Sequence, residues 1–99
     1  MAKVIFTISY EINPEKREEY LSLSRKTKSH FVESKGKNYA IYEQKGKRNT
    51  FSEVFICNSR EEYDQLEDDE DKTLEEFIQQ LDAYLINGKM KYTTLIEID

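Results

Sequence analysis

The sequence predicts an α+β fold, a four-stranded antiparallel sheet with helices on one face, and three observations predict it. Apolar and polar residues alternate with a period of two in segments 4–12, 38–44, 50–57 and 90–98, as in strands with one buried face. Two further segments space apolar residues at the 3.6-residue period of amphipathic helices, each behind a capping signal. The resulting order is strand, helix, strand, strand, helix, strand, the split βαβ or ferredoxin-like βαββαβ pattern. The 99 residues have room for one such domain, 1–99, and none for a second.

Each element has its own justification. Val4, Phe6, Ile8, Tyr10 and Ile12 alternate with Ile5, Thr7, Ser9 and Glu11, a strand with one strongly apolar face. Asn13-Pro14-Glu15 then supplies an N-cap, a proline at the first helical position and an acid in the first turn. The helix runs through Tyr20, Leu21, Leu23, Thr27 and Phe31 and stops at Gly36 between Lys35 and Lys37. Residues 38–44 form the second strand, with Tyr39 and Ile41 on one side and Ala40 and Tyr42 on the other. Lys45 to Asn49 is a hairpin loop in which Gly46 takes the positive φ. The returning strand, Thr50 to Cys57, presents Phe51, Glu53, Phe55 and Cys57 on one side and Ser52, Val54 and Ile56 on the other. Ser59 to Glu62 has capping-box spacing and opens a helix anchored by Tyr63 and Leu66. The acidic run Glu67 to Asp71 breaks that helix, and Thr73 to Glu76 repeats the capping-box spacing. Leu74, Phe77, Ile78, Leu81, Tyr84 and Leu85 make the second half amphipathic until Asn87-Gly88 ends it. Met90, Tyr92, Thr94, Ile96 and Ile98 form the last strand, with Leu95 on its other side.

Composition excludes several classes. No apolar run approaches the ~18 residues that span a bilayer, so neither a membrane protein nor a membrane partner is expected. The single cysteine cannot close an internal disulfide, and Met1-Ala2-Lys3 lacks the apolar core and cleavage site of a signal peptide, so a reduced, cytoplasmic location is expected. An aromatic content of 12% argues against disorder despite 35% charged residues. Net charge is −5, but Arg25 to Arg48 is +6 and the rest −11. That segment reads as a solvated helix face plus a charged hairpin tip, or as a surface for an anionic ligand or for the acidic half of another copy.

Ile5, Val54 and Ile56 are apolar on the sides opposite Phe6 and Phe55, yet helices cover one face of such a sheet. A second copy is the simplest cover, so a homodimer through the other face is expected.

The tyrosine strand Tyr39-Ala40-Ile41-Tyr42-Glu43-Gln44, the hairpin, Phe51-Ser52-Glu53-Val54-Phe55 and Ser59-Arg60-Glu61-Glu62-Tyr63 resemble the dimeric α/β-barrel superfamily. Within it, the chain is most similar to the antibiotic-biosynthesis-monooxygenase-like group, and the resemblance covers nearly all of it. Relatives often carry a strand with Glu, one residue, then an aromatic, and here Glu53 and Phe55 stand in those places. The resemblance implies dimerisation through the sheets and a pocket between sheet and helices. It also implies an activity among those of the group, some of whose members oxidise polycyclic aromatics without metal or flavin. Haem-degrading relatives tend to carry a His on the following helix and a Trp nearby. This chain has no Trp and offers Leu66 and Glu67 there, which argues against haem degradation.

For an enzyme of this kind the catalytic candidates are Glu53 and His30. Glu53 shares a strand side with Phe51 and Phe55; buried there, its carboxyl pKa rises and it becomes a proton acceptor, whereas a salt bridge or an exposed position makes it structural. His30, the one histidine, is either a helix C-terminal residue suited to the dipole or a pocket acid/base. Tyr10, Tyr39, Tyr42 and Tyr92 on the strands, with Asn38 and Phe55, are the candidate ligand-pocket residues, read alternatively as sheet packing. Cys57 reads as a small core residue. One histidine builds no His-based metal cluster, the acidic run lacks the ligand spacing of a calcium loop, and no cofactor is expected. The leading reading is a small-molecule-binding protein with cofactor-independent monooxygenase-like activity; the alternative is a non-catalytic ligand-sensing or interaction domain. RNA-recognition modules share the element order, but Arg48-Asn49-Thr50-Phe51-Ser52-Glu53 lacks the glycine of their third-strand motif and adds a carboxylate, so no nucleic-acid partner is expected.

Overall fold

The computed structural model of the protein describes residues 2–68 and 71–98. Strand β1 (Val4–Glu11) leads through a 3₁₀ turn, Pro14–Lys16, into α1 (Arg17–Ser29), which closes in a π-helical turn, His30–Ser34. Then follow β2 (Tyr39–Glu43), β3 (Thr50–Cys57), α2 (Arg60–Asp68), α3 (Lys72–Tyr84) and β4 (Lys91–Ile96). The four strands lie in the order β2-β3-β1-β4, all neighbours antiparallel, which is the expected ferredoxin-like α+β sheet.

Local chemistry sets the boundaries. Asn13 Oδ1 accepts the Glu15 N–H at 3.0 Å, and Pro14 sits where no helical N–H is needed. At the far end of α1 the chain unwinds into the wider π turn, and Gly36, at φ 65°, releases it toward β2. Ser59 Oγ accepts the Glu62 N–H at 3.2 Å as its capping spacing requires, but the Glu62 carboxylate reaches past it to the Asn58 N–H.

Two boundaries differ from expectation. Helix α3 starts beneath Asp71, not Thr73: Asp71 Oδ1 accepts the N–H groups of Thr73 at 3.0 Å and Leu74 at 3.2 Å. An ionised carboxylate is a stronger acceptor than a threonine hydroxyl and its charge suits a helix N-terminus. The acidic run is accordingly divided, with Glu67 and Asp68 continuing α2, Asp71 capping α3, and Asp69 and Glu70 outside the described residues. Strand β4 is also shorter than expected, because pairing with β1 ends at Ile96 and leaves Ile98 94% exposed.

Register decides which face each side chain serves. Phe6 pairs with Phe55, Ile8 with Glu53 and Tyr10 with Phe51; Tyr39 pairs with Phe55, and Tyr92 with Ile8. All of these share the helix-facing side. Tyr10, Ile12, Tyr20, Leu23, Phe51 and Leu81 form one buried cluster, and Phe31, Tyr39 and Phe55 a second. Burying side chains of this size stabilises by about 1.5–3 kcal/mol each. The opposite face carries Ile5, Thr7, Val54, Ile56 and Leu95, all partly or largely exposed. Among the described residues, no helix is long and apolar enough to cross a membrane.

Candidate functional site

Between the two clusters the helices stand off the sheet and leave a cavity of about 390 Å³. Its floor comes from the sheet, with Phe6, Ile8 and Tyr10 of β1 and Glu53 and Phe55 of β3. The helical stripes supply the walls, Tyr20, Leu23 and Thr27 from α1 and Leu74, Phe77 and Leu81 from α3. Ser24 of α1, Phe31 of the π turn, Ile78 of α3, Leu66 and Glu67 at the end of α2, Met90 just before β4 and Tyr92 within it complete the lining.

Glu53 is the one carboxyl in the floor, and it is 7% exposed. Burial raises its pKa above the usual carboxylate range, against hydrogen bonds from Tyr39 and Tyr10 that hold it down. Tyr39 donates to its Oε1 at 2.5 Å, and the Tyr10 and Tyr20 hydroxyls share a hydrogen bond of 2.7 Å. All three phenols have raised pKa values, by burial first and by the Glu53 charge as well, so they stay protonated and act as donors. A set of hydroxyls thus leads to one buried carboxyl at the base of an apolar cavity, an arrangement that can accept or return a proton.

Of the residues anticipated for the site, Glu53, Tyr10, Phe55 and Tyr92 all line the cavity. Tyr39 lies behind Glu53 and fixes it. Three residues are not brought to it. Tyr42 pairs with Ser52 and is 59% exposed, since its even position on β2 turns it to the helix-free face. Asn38 lies before β2, exposed, and its backbone carbonyl accepts the Ile56 N–H at 2.9 Å. His30 is part-buried, but its Nε2 meets Asp71 Oδ2 at 2.6 Å and its ring packs on Phe31 and Phe77, so it joins α1 to the start of α3 and is absent from the lining.

Sequence reasoning did not assign Tyr20 to the site. It sits on the apolar stripe of α1, where its ring counts as core, 4.4 Å from Phe51. The available signal was polarity: a tyrosine on a buried stripe needs a partner for its hydroxyl, and Tyr10 on the facing strand supplies it. Among the described residues, no group of three or more His, Cys, Asp or Glu side chains is placed to hold a metal ion. Cys57 is a buried free thiol whose pKa is pushed up by burial and by the Glu62 charge.

No family model matches the chain, and no curated protein matches it significantly. Solved structures do. A conserved protein from Methanosarcina mazei superposes with a TM-score of 0.80 at 14% identity, over 96% of this chain and 92% of that one. A candidate antibiotic biosynthesis monooxygenase from Caulobacter crescentus gives 0.78 at 10% identity, over 99% and 92%. SnoaB, a cofactor-independent oxygenase from Streptomyces nogalater, gives 0.74 at 11% identity, over 98% and 94%. The resemblance to antibiotic-biosynthesis-monooxygenase-like proteins therefore holds at the level of the fold.

Proposed function

We propose that the protein binds a small, largely apolar organic molecule between sheet and helices and oxidises it with molecular oxygen, without metal or organic cofactor. The observation that carries this reading is the buried Glu53 carboxyl opening on an apolar cavity of about 390 Å³. The cofactor-independent oxygenase SnoaB, which shares the fold, supports the choice of chemistry.

In this reading the protein's residues handle the proton and the oxidant is O₂. Ionised Glu53 accepts a proton from an acidic C–H of a substrate methylene, leaving an electron-rich anion that transfers electrons to O₂. One oxygen atom becomes the product carbonyl, and the other leaves as water with the two methylene hydrogens. The apolar walls keep bulk water from the anion. The same reading includes a homodimer through the helix-free face, where Ile5, Val54 and Ile56 need cover.

Oxygen uptake with anthrone, a planar probe with an acidified methylene, tests the chemistry. Consumption of one O₂ per carbonyl formed, slowed at least about 10²-fold in Glu53→Gln, is the expected result. Binding of anthrone without oxygen uptake would make this a ligand-sensing domain instead. Uptake unchanged by Glu53→Gln would remove the carboxyl from the mechanism.

A further inference from the structure

We propose that the cavity selects cationic ligands: an apolar aromatic amine whose ammonium pairs with Glu53 while its ring system fills the chamber. The inference rests on the pocket of the reading above, not on its oxygenation step, because a carboxylate paired with an ammonium is no longer the free base for a methylene proton.

Charge is the first argument. No Lys, Arg or His among the described residues lines the cavity, whereas Glu53 lies in its floor and Glu67 in its lining. Buried charges in proteins are paired or neutralised, and here no cation of the lining is available to pair with Glu53. Phenol hydroxyls hold the carboxyl instead, with Tyr39 on Oε1. Hydrogen bonds from tyrosines fix a carboxyl in place but bring it no positive charge. A carboxylate has about four lone-pair positions over its two oxygens, so acceptor capacity remains on a group that borders the cavity. A ligand ammonium supplies the missing charge and finds its counter-ion in Glu53. A carboxylate or phosphate ligand meets the opposite situation, two acids and no base.

The second argument is the wall. Phe6, Phe31, Phe55 and Phe77 line the cavity with Tyr10 and Tyr20, and aromatic faces attract cations through the ring quadrupole. Each such contact is worth about 0.5–2 kcal/mol, more when desolvated. The combination of aromatic rings and a carboxylate is how proteins hold organic ammonium groups, and the volume leaves room for a ring system beyond the charged end.

Three probes on one ring system decide it: 1-naphthylmethylamine, 1-naphthylmethanol and 1-naphthoic acid, titrated at neutral pH. The chain has no tryptophan, so naphthalene fluorescence reads above the tyrosine background. The amine is expected to bind about tenfold more tightly than the alcohol, and the acid at least about tenfold more weakly than the alcohol. Glu53→Gln should remove the amine's advantage over the alcohol. Equal or tighter binding of the alcohol or the acid overturns the proposal, as does an amine preference that survives Glu53→Gln. If that variant does not fold, the ranking on the native protein decides alone. Failure of all three probes to bind would sink the pocket reading itself, whereas tight binding of the alcohol with no gain for the amine sinks only the cation.

Discussion

Tyr39 on β2 donates its hydroxyl to Oε1 of Glu53 on β3 over 2.5 Å, from a diagonal position in which its direct partner is Phe55. The pair holds a titratable group 7% exposed beneath a cavity, and its pKa lies above the usual 4.5. The folded protein therefore binds a proton at Glu53 more readily than the unfolded chain does. What that carboxyl contributes to stability is complete below about pH 4.5 and is lost as the pH rises through the raised value. Glu53→Gln cannot ionise, so its stability relative to the native protein should improve steadily with pH above 4.5. Urea unfolding of both proteins between pH 4 and 8 measures this, and parallel pH profiles would contradict it.

The hydroxyl pair beside it gives a stability prediction. Tyr20 is 2% exposed and its hydroxyl meets that of Tyr10 at 2.7 Å. Tyr20→Phe keeps the ring against Phe51 and strips a buried hydroxyl of its partner, at a cost of about 1–2 kcal/mol. Unfolding free energies from denaturant titration check it; a neutral substitution would mean that water replaces the lost partner.

Strand parity makes the sheet legible and ties Glu53 to the side of Phe51 and Phe55, but which side meets the helices is not in the pattern, because both faces carry apolar residues. The same parity placed Tyr42 opposite Tyr39, so grouping both tyrosines in one pocket set residue type above geometry. Contacts between elements distant in sequence left no such trace. Nothing local to His30 names Asp71, which lies 41 residues away, and Thr73 to Glu76 has capping spacing whether or not a better acceptor precedes it. Tyr20 was hidden because a helical stripe records burial and not the polar tip of the ring.

Asp71 carries two duties that one pair of substitutions separates. Its Oδ1 caps α3, while its Oδ2 meets His30 at 2.6 Å and lies 3.8 Å from the Lys35 ammonium. The His30 hydrogen bond is the largest cause holding its pKa below the usual 3.8. The stability from that carboxylate is complete above 3.8 and lost as pH falls through the depressed value. Asp71→Asn keeps a good N-cap and removes the charge, whereas Asp71→Ala removes both, so alanine should cost about 1 kcal/mol more. Thermal melts of the two variants at neutral pH test the difference, and equal melting temperatures would deny the cap its role.

At the hairpin, Arg17 reaches Glu43 with two nitrogens, at 2.7 and 2.9 Å, and Asn49 Oδ1 at 2.8 Å, while the Asn49 N–H returns to Glu43 at 2.8 Å. Asn49 is held at φ 68°, and these bonds hold it there. The Arg17 hydrogen bond, then that of the Asn49 backbone, lowers the Glu43 pKa to about 2 from 4.5. Stability from Glu43 is therefore present above 4.5 and lost as pH falls toward 2. Glu43→Gln should flatten the acid limb of the melting-temperature profile between pH 2 and 5 without moving the neutral plateau's slope, and an unchanged acid limb would refute it.

The helix-free face supplies the last test. Ile5, Val54 and Ile56 meet there across adjacent strands, Ile5 directly opposite Ile56, with Leu95 opposite Ile5 on the other side and 54% exposed. Such a contiguous apolar surface is costly in water, and the homodimer of the functional reading buries it. Ile56→Lys places an ammonium at its centre, where a facing copy would have to desolvate it. Sedimentation at micromolar concentration should show about 24 kDa for the native chain, twice its 11.8 kDa, and the monomer mass for the variant. Because Ile56 points away from the cavity, the variant should still bind 1-naphthylmethanol, which separates loss of assembly from loss of fold. A native chain that sediments at 11.8 kDa would leave this face to water and remove the dimer from the functional reading.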